Sequence, residues 1–288
     1  MNLEIYSEFL KTIGKKVIPG DGYLWCQVGG GFYHCFPVHQ PIHPSKQQLT
    51  KVFWGGPAIG VRFSTDAMTN GGKASFVYLC EKGAYGLDLL SANQRSKVRR
   101  GLKHCQVGQI TEAEYFCSQG WSLHAETLKR QGRLAKADRR NWKRTANCLG
   151  HFAGLEVWGA WFEEALAAFV LTFQVEDCVH LLTFRSADQY LRYYPNNALI
   201  YTVISEMLSR EAVRLVSFGE ESLQGLESLD AFKTGMGFRK QPMVQKIILN
   251  PFVSPAVNGL TKQLICTMNK RNPQSVFWRK ALGVVELL

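Results

Sequence analysis

Four of the residues in the second half of the chain that can transfer a proton stand out by their position: His180, Tyr194, Glu220 and Glu221. His180 lies in the apolar segment CVHLLTFRS, and the two glutamates follow VRLVSFG, whose composition predicts a strand. Histidine titrates near neutral pH, and a carboxylate just beyond the end of a strand in an open α/β sheet is well placed to meet a ligand. We therefore interpret these four as candidate catalytic residues. The structural alternatives are a core histidine, a packed tyrosine and a solvated acidic pair.

A second group of residues suits an anionic ligand. The stretch SANQRSKVRRGLKH, residues 91–104, contains five Lys or Arg residues and no acidic residue, and its Ser91 or Asn93 can cap a helix. Residues 86–150 contain 13 Lys or Arg against 5 Asp or Glu, in a chain of net charge +11. Because clustered cations attract polyanions of any sequence, we expect Arg95, Arg99 and Arg100 to contact a phosphate-bearing partner such as tRNA. Solubility alone explains part of the excess.

The composition is that of a globular protein. The 288 residues are 46% hydrophobic, which is enough for one large core or two smaller ones. The sequence contains no apolar window of about 18 residues, and its start contains Glu4 and no secretory signal core. We therefore expect a cytoplasmic protein without a membrane span. The eight cysteines lack disulfide-framework or CxxC spacings, which indicates buried thiols in a reducing compartment.

One group of residues has side chains of zinc-ligand type. Cys26, Cys35, His39 and His43 have the spacing C-x8-C-x3-H-x3-H, without the close CxxC pair of a zinc knuckle. Both cysteines belong to a predicted strand, turn and strand. We therefore expect no metal, with a zinc site as the alternative.

The hydrophobic pattern divides the chain into three parts. Residues 1–85 combine an N-terminal helix, a hairpin turning at Gly29–Gly31, and the strands PAIGVRF and KASFVYL. Residues 86–250 contain helices over 91–103, 112–129 and 136–149, then the order strand, strand, strand, helix, strand, helix, strand. Residues 251–288 form a helical tail whose Phe277 and Trp278 are expected to dock on the body. The predicted fold class is mixed α/β with a smaller strand-rich N-terminal lobe.

This element order resembles the GNAT superfamily of N-acyltransferases, and most resembles its FemAB-like branch, which includes aminoacyltransferases that build peptidoglycan cross-bridges. That branch has an Arg-rich helix before the first strand of the catalytic domain, and RSKVRRGLK at residues 95–103 matches it. Further matches are Phe218-Gly219, Phe232-Lys233 and Gly237-Phe238. The resemblance covers residues 86–250. It implies a splayed mixed sheet flanked by helices, with residues 1–85 as a truncated GNAT-like half.

The resemblance also implies where the donor binds. In this fold the donor lies where two central strands separate, with a backbone N–H of the first strand aimed at its carbonyl oxygen. The candidate donor-binding residues are Thr183, Phe184, Arg192, Asn196 and Asn197. The candidate substrate-binding residues are Trp158, Ser217 and Lys233, of which Lys233 falls at the family's lysine position.

One departure from the family bears on the donor. Acetyl-CoA-dependent members have Gln/Arg-x-x-Gly-x-Gly/Ala before the central helix, whereas this chain has Arg192-Tyr-Tyr-Pro195-Asn-Asn197. Proline removes one N–H donor. The resemblance therefore implies an N-acyltransferase that moves an acyl or aminoacyl group to a small-molecule or peptide amine, from acyl-CoA (acetyl-CoA) or from aminoacyl-tRNA. The alternatives are a nucleic-acid-binding module that uses the basic helix 95–103, and a catalytically inactive GNAT-like scaffold.

Overall fold

The strands of the computed structural model follow the apolar segments of the sequence. The structure describes residues 2–29, 31–56, 58–66, 72–83, 85–130, 138–221, 227–273 and 275–286. The strands are β1 Val17–Pro19, β2 Leu24–Gly29, β3 Phe32–Phe36, β4 Gly60–Thr65, β5 Lys73–Glu81, β6 Cys105–Gln109, β7 Leu155–Phe162, β8 Ala165–Val175, β9 Cys178–Ser186, β10 Leu215–Glu220 and β11 Arg239–Leu249.

The helices begin at residues that can cap them or that fix the first turn. Asn2, Ser45, Ser91 and Asn258 each accept a first-turn N–H through the side chain. The helices are α1 Leu3–Thr12, α2 Lys46–Trp54, α3 Ala92–His104, α4 Ala113–Tyr115, α5 Trp121–Arg130, α6 Asp138–Ala146, α7 Pro195–Ser209, α8 Glu227–Gly235, α9 Gly259–Arg271 and α10 Val276–Glu286.

The chain forms two compact units, each built from separate segments. The first unit contains residues 1–14, 78–219 and 228–239, and the second contains residues 15–77, 220–227 and 240–288. This grouping differs from the predicted boundaries at residues 85 and 250. One reason is that α1 packs within the first unit, where the Tyr6 and Phe9 rings lie 4.8 and 5.2 Å from the ring of Phe173 on β8.

The first unit is built on a mixed sheet with the strand order β10-β9-β8-β7-β6. β9 and β10 are parallel, and β6 to β9 are antiparallel neighbours. Residues 166–173 of β8 are all buried, as expected of a strand with helices on both faces. One face packs against α1 and α6 through Phe173 and Phe169, and α7 also packs on β7 and β8. This arrangement confirms the predicted mixed α/β class.

The second unit has the strand order β1-β2-β3-β4-β11. The hairpin β2–β3 was predicted, although Gly30 of its turn lies outside the described residues. β3, α2 and β4 form a strand–helix–strand unit whose strands are parallel over three residue pairs. Its core contains Trp25, Tyr33, Val52 and Phe63. This unit is therefore strand-rich, as predicted for residues 1–85.

Three local predictions require correction or restriction. The single helix predicted over 112–129 is α4 and α5 joined by one turn of π-helix at Phe116–Gly120. The helix predicted over 136–149 is observed as α6, and residues 136 and 137 lie outside the described residues. Phe277, one of the two aromatic residues expected to dock the tail, is 68% exposed, and docking of the tail stays a prediction. None of the described helices has the length and apolar character needed to cross a membrane.

Candidate functional site

The two parallel strands of the first unit, β9 and β10, separate after three residue pairs. β9 and β10 pair only from Cys178 opposite Leu215 to His180 opposite Ser217. β9 then continues to Ser186 while still paired with β8 on its other side. Because backbone groups of a strand point alternately to its two neighbours, residues 181–186 present N–H and C=O groups to the gap beside β10. The predicted splay is therefore present, and we call this gap the cleft.

A bulge on β9 sets which side chains share a face at the cleft. The pairing between β8 and β9 shifts after Leu171, which leaves Leu182 as an extra residue. Such a bulge redirects the side chains that follow it. Thr183 therefore lies on the same face as His180, three residues earlier, and Phe184 lies on the other face. Thr183 and Phe184, which were both predicted to bind the donor, therefore cannot contact it from the same face of the sheet.

His180 and Ser217 lie side by side at the base of the cleft, where the strands separate. Both are buried, with 3% and 1% of their surface exposed. The Ser217 hydroxyl accepts the backbone N–H of Gly219 at 3.2 Å. The structure thus brings together one predicted catalytic residue and one predicted substrate-binding residue.

A buried cation lies beyond the end of this parallel pairing. Lys233 of α8 is 3% exposed, and its Nζ lies 4.2 Å from the ring centroid of Tyr78 and 5.2 Å from that of Phe218. The Phe218 ring in turn meets Phe184 edge-on at 6.3 Å. Aromatic faces stabilise a desolvated ammonium. Lys233 therefore supplies positive charge on the Phe184 face of the sheet.

The N-terminus of α7 has few free amide groups. Of the four N–H groups that a helix start usually leaves without a partner, the one at Pro195 does not exist. The N–H groups of Tyr194 and Asn197 donate to the carbonyls of Leu191 and Tyr194, at 3.0 and 3.1 Å. Among these four positions, the backbone N–H of Asn196 is the one that remains for a ligand. This is a poor cradle for a pyrophosphate, in agreement with the missing glycines.

The side chains of the two asparagines are also engaged. The Asn197 Nδ2 donates to the Gln94 Oε1 of α3 at 2.7 Å, and Asn197 is 6% exposed. The Asn196 Nδ2 donates to the Ser186 Oγ at 3.3 Å. Asn197 therefore joins α7 to α3 rather than facing a phosphate, whereas Asn196 lies at the end of β9.

Gly101 brings the Arg-rich helix α3 against the start of α7. A Cβ at Gly101 would lie 2.6 Å from the Tyr194 carbonyl oxygen and 3.0 Å from the Ala198 Cβ. Val98, one turn earlier, is fully buried. The glycine of the motif RSKVRRGLK is therefore a packing residue, a role that was not predicted from the sequence.

The arginines of α3 line an open pocket beside this contact. The pocket has a volume of about 430 Å³, and its lining residues are Ala92, Arg95, Ser96, Arg99 and Arg100. Arg100 lies 4.8 Å from the ring centroid of Tyr194 and donates to its hydroxyl at 3.3 Å. Tyr194 itself has φ 58° and ψ 42°, a left-handed conformation that is uncommon for a tyrosine. Arg100 therefore both lines the cationic pocket and contacts Tyr194, a predicted catalytic residue.

Arg192, the remaining predicted donor-binding residue, lies in the turn before α7. It is exposed, and its guanidinium lies 4.8 Å from the ring centroid of Tyr193. Tyr193 stacks on Phe162 with ring centroids 4.0 Å apart. Arg192 therefore covers an aromatic stack on the Phe162 side of the turn.

Glu220 is the centre of a buried ionic network in the second unit. Its carboxylate lies 2.8 Å from the His34 Nε2, 2.9 Å from the Arg62 Nη2 and 2.7 Å from the Ser64 Oγ. Burial raises the pKa of Glu220, but the charges of His34 and Arg62 and the hydrogen bonds from His34 and Ser64 outweigh it and lower the pKa to about 2. A carboxylate with so low a pKa is a poor proton acceptor, which argues against the catalytic role predicted for Glu220.

Glu221 and Trp158 are also held by structural contacts. The Glu221 carboxylate accepts the Ser75 hydroxyl at 2.9 Å within the second unit. In the first unit, Trp158 is 8% exposed and donates its indole N–H to Glu156 at 3.0 Å. Glu156 is paired with Arg210, which follows the last residue of α7. Trp158 pairs with Val170 of β8, which pairs with Phe184 of β9, so Trp158 lies two strands from the cleft on the Phe184 face of the sheet.

A histidine–arginine pair that the sequence did not predict lies on the face of His180 and Thr183. The Arg185 Nε donates to the His124 Nδ1 at 3.2 Å. The His124 ring stacks on Trp142 at 4.7 Å. Arg185 comes two residues after Thr183 on β9 and so shares its face. This alternation was visible in the sequence, but His124 comes from α5, about 60 residues away.

The cysteines form no disulfide, and Cys26 and Cys35 of the alternative zinc site do not face each other. All eight are free thiols. Cys26 pairs with His34 and Cys35 pairs with Trp25, so the two thiols point to opposite faces of the sheet and cannot bind one ion. Burial raises the pKa of Cys26 to about 12 and also raises that of Cys35. Such thiols are poor nucleophiles.

Solved structures share this arrangement of strands and helices. One is described as the C-terminal domain of a lysylphosphatidylglycerol synthetase from Agrobacterium fabrum, with a TM-score of 0.57, 11% identity and coverage of 88% of this chain and 90% of that one. FemX matches with a TM-score of 0.56 and 12% identity, over 88% of this chain and 92% of that one. The fold is GNAT-like.

A third structure, L-PGS from Bacillus licheniformis, matches with a TM-score of 0.51 and 14% identity over 84% of this chain and 90% of that one. At these identities the similarity shows the fold. No protein-family model matches the sequence, and no curated protein matches it. The GNAT-like fold with FemX among its neighbours confirms the resemblance drawn from the sequence.

Proposed function

We propose that the protein is an N-acyltransferase that moves an aminoacyl or acyl group from a phosphate-bearing donor to an amine. The observation that carries this proposal is the separation of β9 and β10 after three residue pairs. The cleft exposes backbone amides of β9 to a donor carbonyl and has His180 at its base. The similarity to FemX and to a lysylphosphatidylglycerol synthetase supports the same class of reaction.

The two faces of the sheet give the cleft a donor side and an acceptor side. The donor side has Phe184, Lys233 and the α3 pocket beside Tyr194. The acceptor side has His180, Thr183 and the pair of Arg185 with His124. An amine that enters from the acceptor side therefore meets a donor carbonyl held between the strands.

Each proposed group has one task in the transfer. The amine nitrogen attacks the carbonyl carbon, the new C–N bond forms, and the C–O or C–S bond to the leaving group breaks. His180 accepts the proton that the amine loses, and Tyr194, whose oxygen Arg100 holds, protonates the leaving group. Lys233 and the β9 amides stabilise the negative charge that develops on the carbonyl oxygen.

The geometry favours aminoacyl-tRNA over acyl-CoA as the donor. The start of α7 offers few amides to a pyrophosphate, because Pro195 has no N–H and the N–H of Asn197 is engaged. The arginine pocket instead suits a phosphodiester backbone, which is bound through clustered cations without base reading. Charged tRNA is made in the cytoplasm, where free thiols are also stable.

A binding experiment separates the donors. We expect charged tRNA to raise the melting temperature of the protein in proportion to occupancy, and acetyl-CoA and longer acyl-CoAs to leave it unchanged. The double variant Arg99→Gln/Arg100→Gln should weaken tRNA binding and reduce the slope of log K against log salt by about 1 to 2. Lys97→Gln is the matched control, since Lys97 is on the same helix but does not line the pocket. A thermal shift with acyl-CoA alone would overturn the donor assignment.

A transfer experiment tests the reaction itself. The protein is incubated with charged tRNA and a panel of amines, and the products are identified by mass spectrometry. New amide products that require both the protein and the charged tRNA support the proposal. Tight, salt-sensitive tRNA binding without any product would favour a binding module, and neither binding nor product would favour an inactive scaffold.

A further inference from the structure

A second pocket of the first unit lies at the outer edge of its sheet. β6 is the last strand in the order, and the pocket extends beyond its end with a volume of about 320 Å³. This volume is at the lower end of the range for small-molecule sites. The residues that line it include Gln109, Thr111, Glu112, Tyr115, Trp161 and Glu164.

The charge of this pocket is opposite to that of the protein. Its lining contains two carboxylates, of Glu112 and Glu164, and no Lys, Arg or His, in a chain of net charge +11. Within the part of the chain that the structure describes, neither carboxylate forms an ion pair. Like charges lining one concave surface focus a local potential, so the pocket attracts cations.

An indole ring is held in a fixed position at the same pocket. The Trp161 Nε1 donates to the Tyr115 hydroxyl at 2.7 Å. A Cβ at Gly159 would lie 2.7 Å from the Trp161 Cη2, so the ring lies directly against the backbone of this glycine. Gly159 pairs across the sheet with Gly108, which also has no side chain to displace the ring. Trp161 is thus prepositioned, and tryptophan is the aromatic residue that binds cations best.

We propose that this pocket binds an organic ammonium group, either a primary or a quaternary amine on a short alkyl chain. The carboxylates supply the charge, and the indole supplies a face for the ammonium and its carbon substituents. A divalent metal ion fits less well, because among the described residues this carboxylate pair is not joined by a third ligand of the His, Cys, Asp or Glu type within reach of one ion. The proposal concerns binding and does not depend on transfer at the cleft.

Titration by NMR tests the site directly. The probes are butylammonium and tetramethylammonium, with n-butanol as the uncharged analogue, and the signal is the indole N–H of Trp161, assigned with Trp161→Phe. We expect both cations to shift this signal with dissociation constants in the millimolar range, since exposed cation–π contacts and ion pairs are individually weak. Butanol should leave the signal in place.

Charge variants provide the matched comparison. Glu112→Gln and Glu164→Gln should each weaken cation binding by about two- to fivefold, which is the loss expected for one exposed charge contact. Both side chains are exposed, so these variants should keep the fold. Glu163→Gln is the control, because Glu163 is adjacent and exposed but does not line the pocket. Equal shifts with butanol, no shift with either cation, or an equal loss in Glu163→Gln would overturn the proposal.

Discussion

Glu220→Gln separates the structural role of this carboxylate from a catalytic one. The Glu220 side chain is 5% exposed, and the pKa of Glu220 is about 2 against an ordinary value of 4.5. At about 1.4 kcal/mol for each pH unit, ionisation of Glu220 stabilises the folded state by about 3 kcal/mol. The variant also leaves Arg62 without its carboxylate, and breaking a buried ion pair costs about 3 to 5 kcal/mol. We therefore expect Glu220→Gln to lower the free energy of unfolding by about 3 kcal/mol at pH 7.

The pH dependence gives this prediction a second readout. Because the folded-state pKa of Glu220 is depressed, its contribution is fully present above about pH 4.5 and is lost as the pH falls towards 2. Urea unfolding followed by circular dichroism should show this loss in the wild type, and the corresponding component should be missing in Glu220→Gln. Glu221→Gln is the matched control, since its half-buried carboxylate accepts one hydroxyl and should cost about 1 kcal/mol or less. Equal stability of the two variants at pH 7 would refute the reasoning.

Three further substitutions test the packing and the cleft. Gly101→Ala should lower the free energy of unfolding by about 1 to 2 kcal/mol in a urea titration, because the added Cβ would lie 2.6 Å from the Tyr194 carbonyl oxygen. Gly83→Ala is the control, since no atom lies within 4 Å of its added Cβ. Equal stability of the two variants would contradict the contact. Lys233→Met should abolish transfer in the mass-spectrometry assay. The circular dichroism spectrum should be retained, since the methionine side chain fills the same space. Undiminished transfer would remove Lys233 from the mechanism. Trp158→Phe should cost about 1 kcal/mol by deleting the bond to Glu156, and a reduced transfer rate would show that Trp158 does reach the substrate.

The order of elements was predictable because it depends on local apolar patterns. The long apolar run of β8 indicated a strand buried on both faces, and residues 166–173 are buried. The Arg-rich segment beginning at Ser91 indicated a capped helix, and α3 begins there with Ser91 as its cap. Each of these features is encoded within about 15 consecutive residues.

The contacts of the site were less predictable because they join distant segments. Glu220 was interpreted as a base from its place after a strand, but its partners His34 and Arg62 lie more than 150 residues earlier in the chain. The bulge at Leu182 has no sequence signature of its own, and it decides which face of the sheet Thr183 occupies. Period-two alternation predicts faces only while the pairing is regular.

The most direct test of the central claim is hydrogen exchange of the cleft in the presence of a donor analogue. A short RNA acceptor stem that ends in an amide-linked aminoacyl adenosine resembles the charged end of tRNA and cannot transfer its aminoacyl group. We predict that this analogue slows exchange of α3 around Arg99 and of those amides of residues 181–186 that point away from β8 into the cleft. An uncharged stem should protect α3 alone. Protection that omits residues 181–186, with the charged analogue bound, would contradict the account.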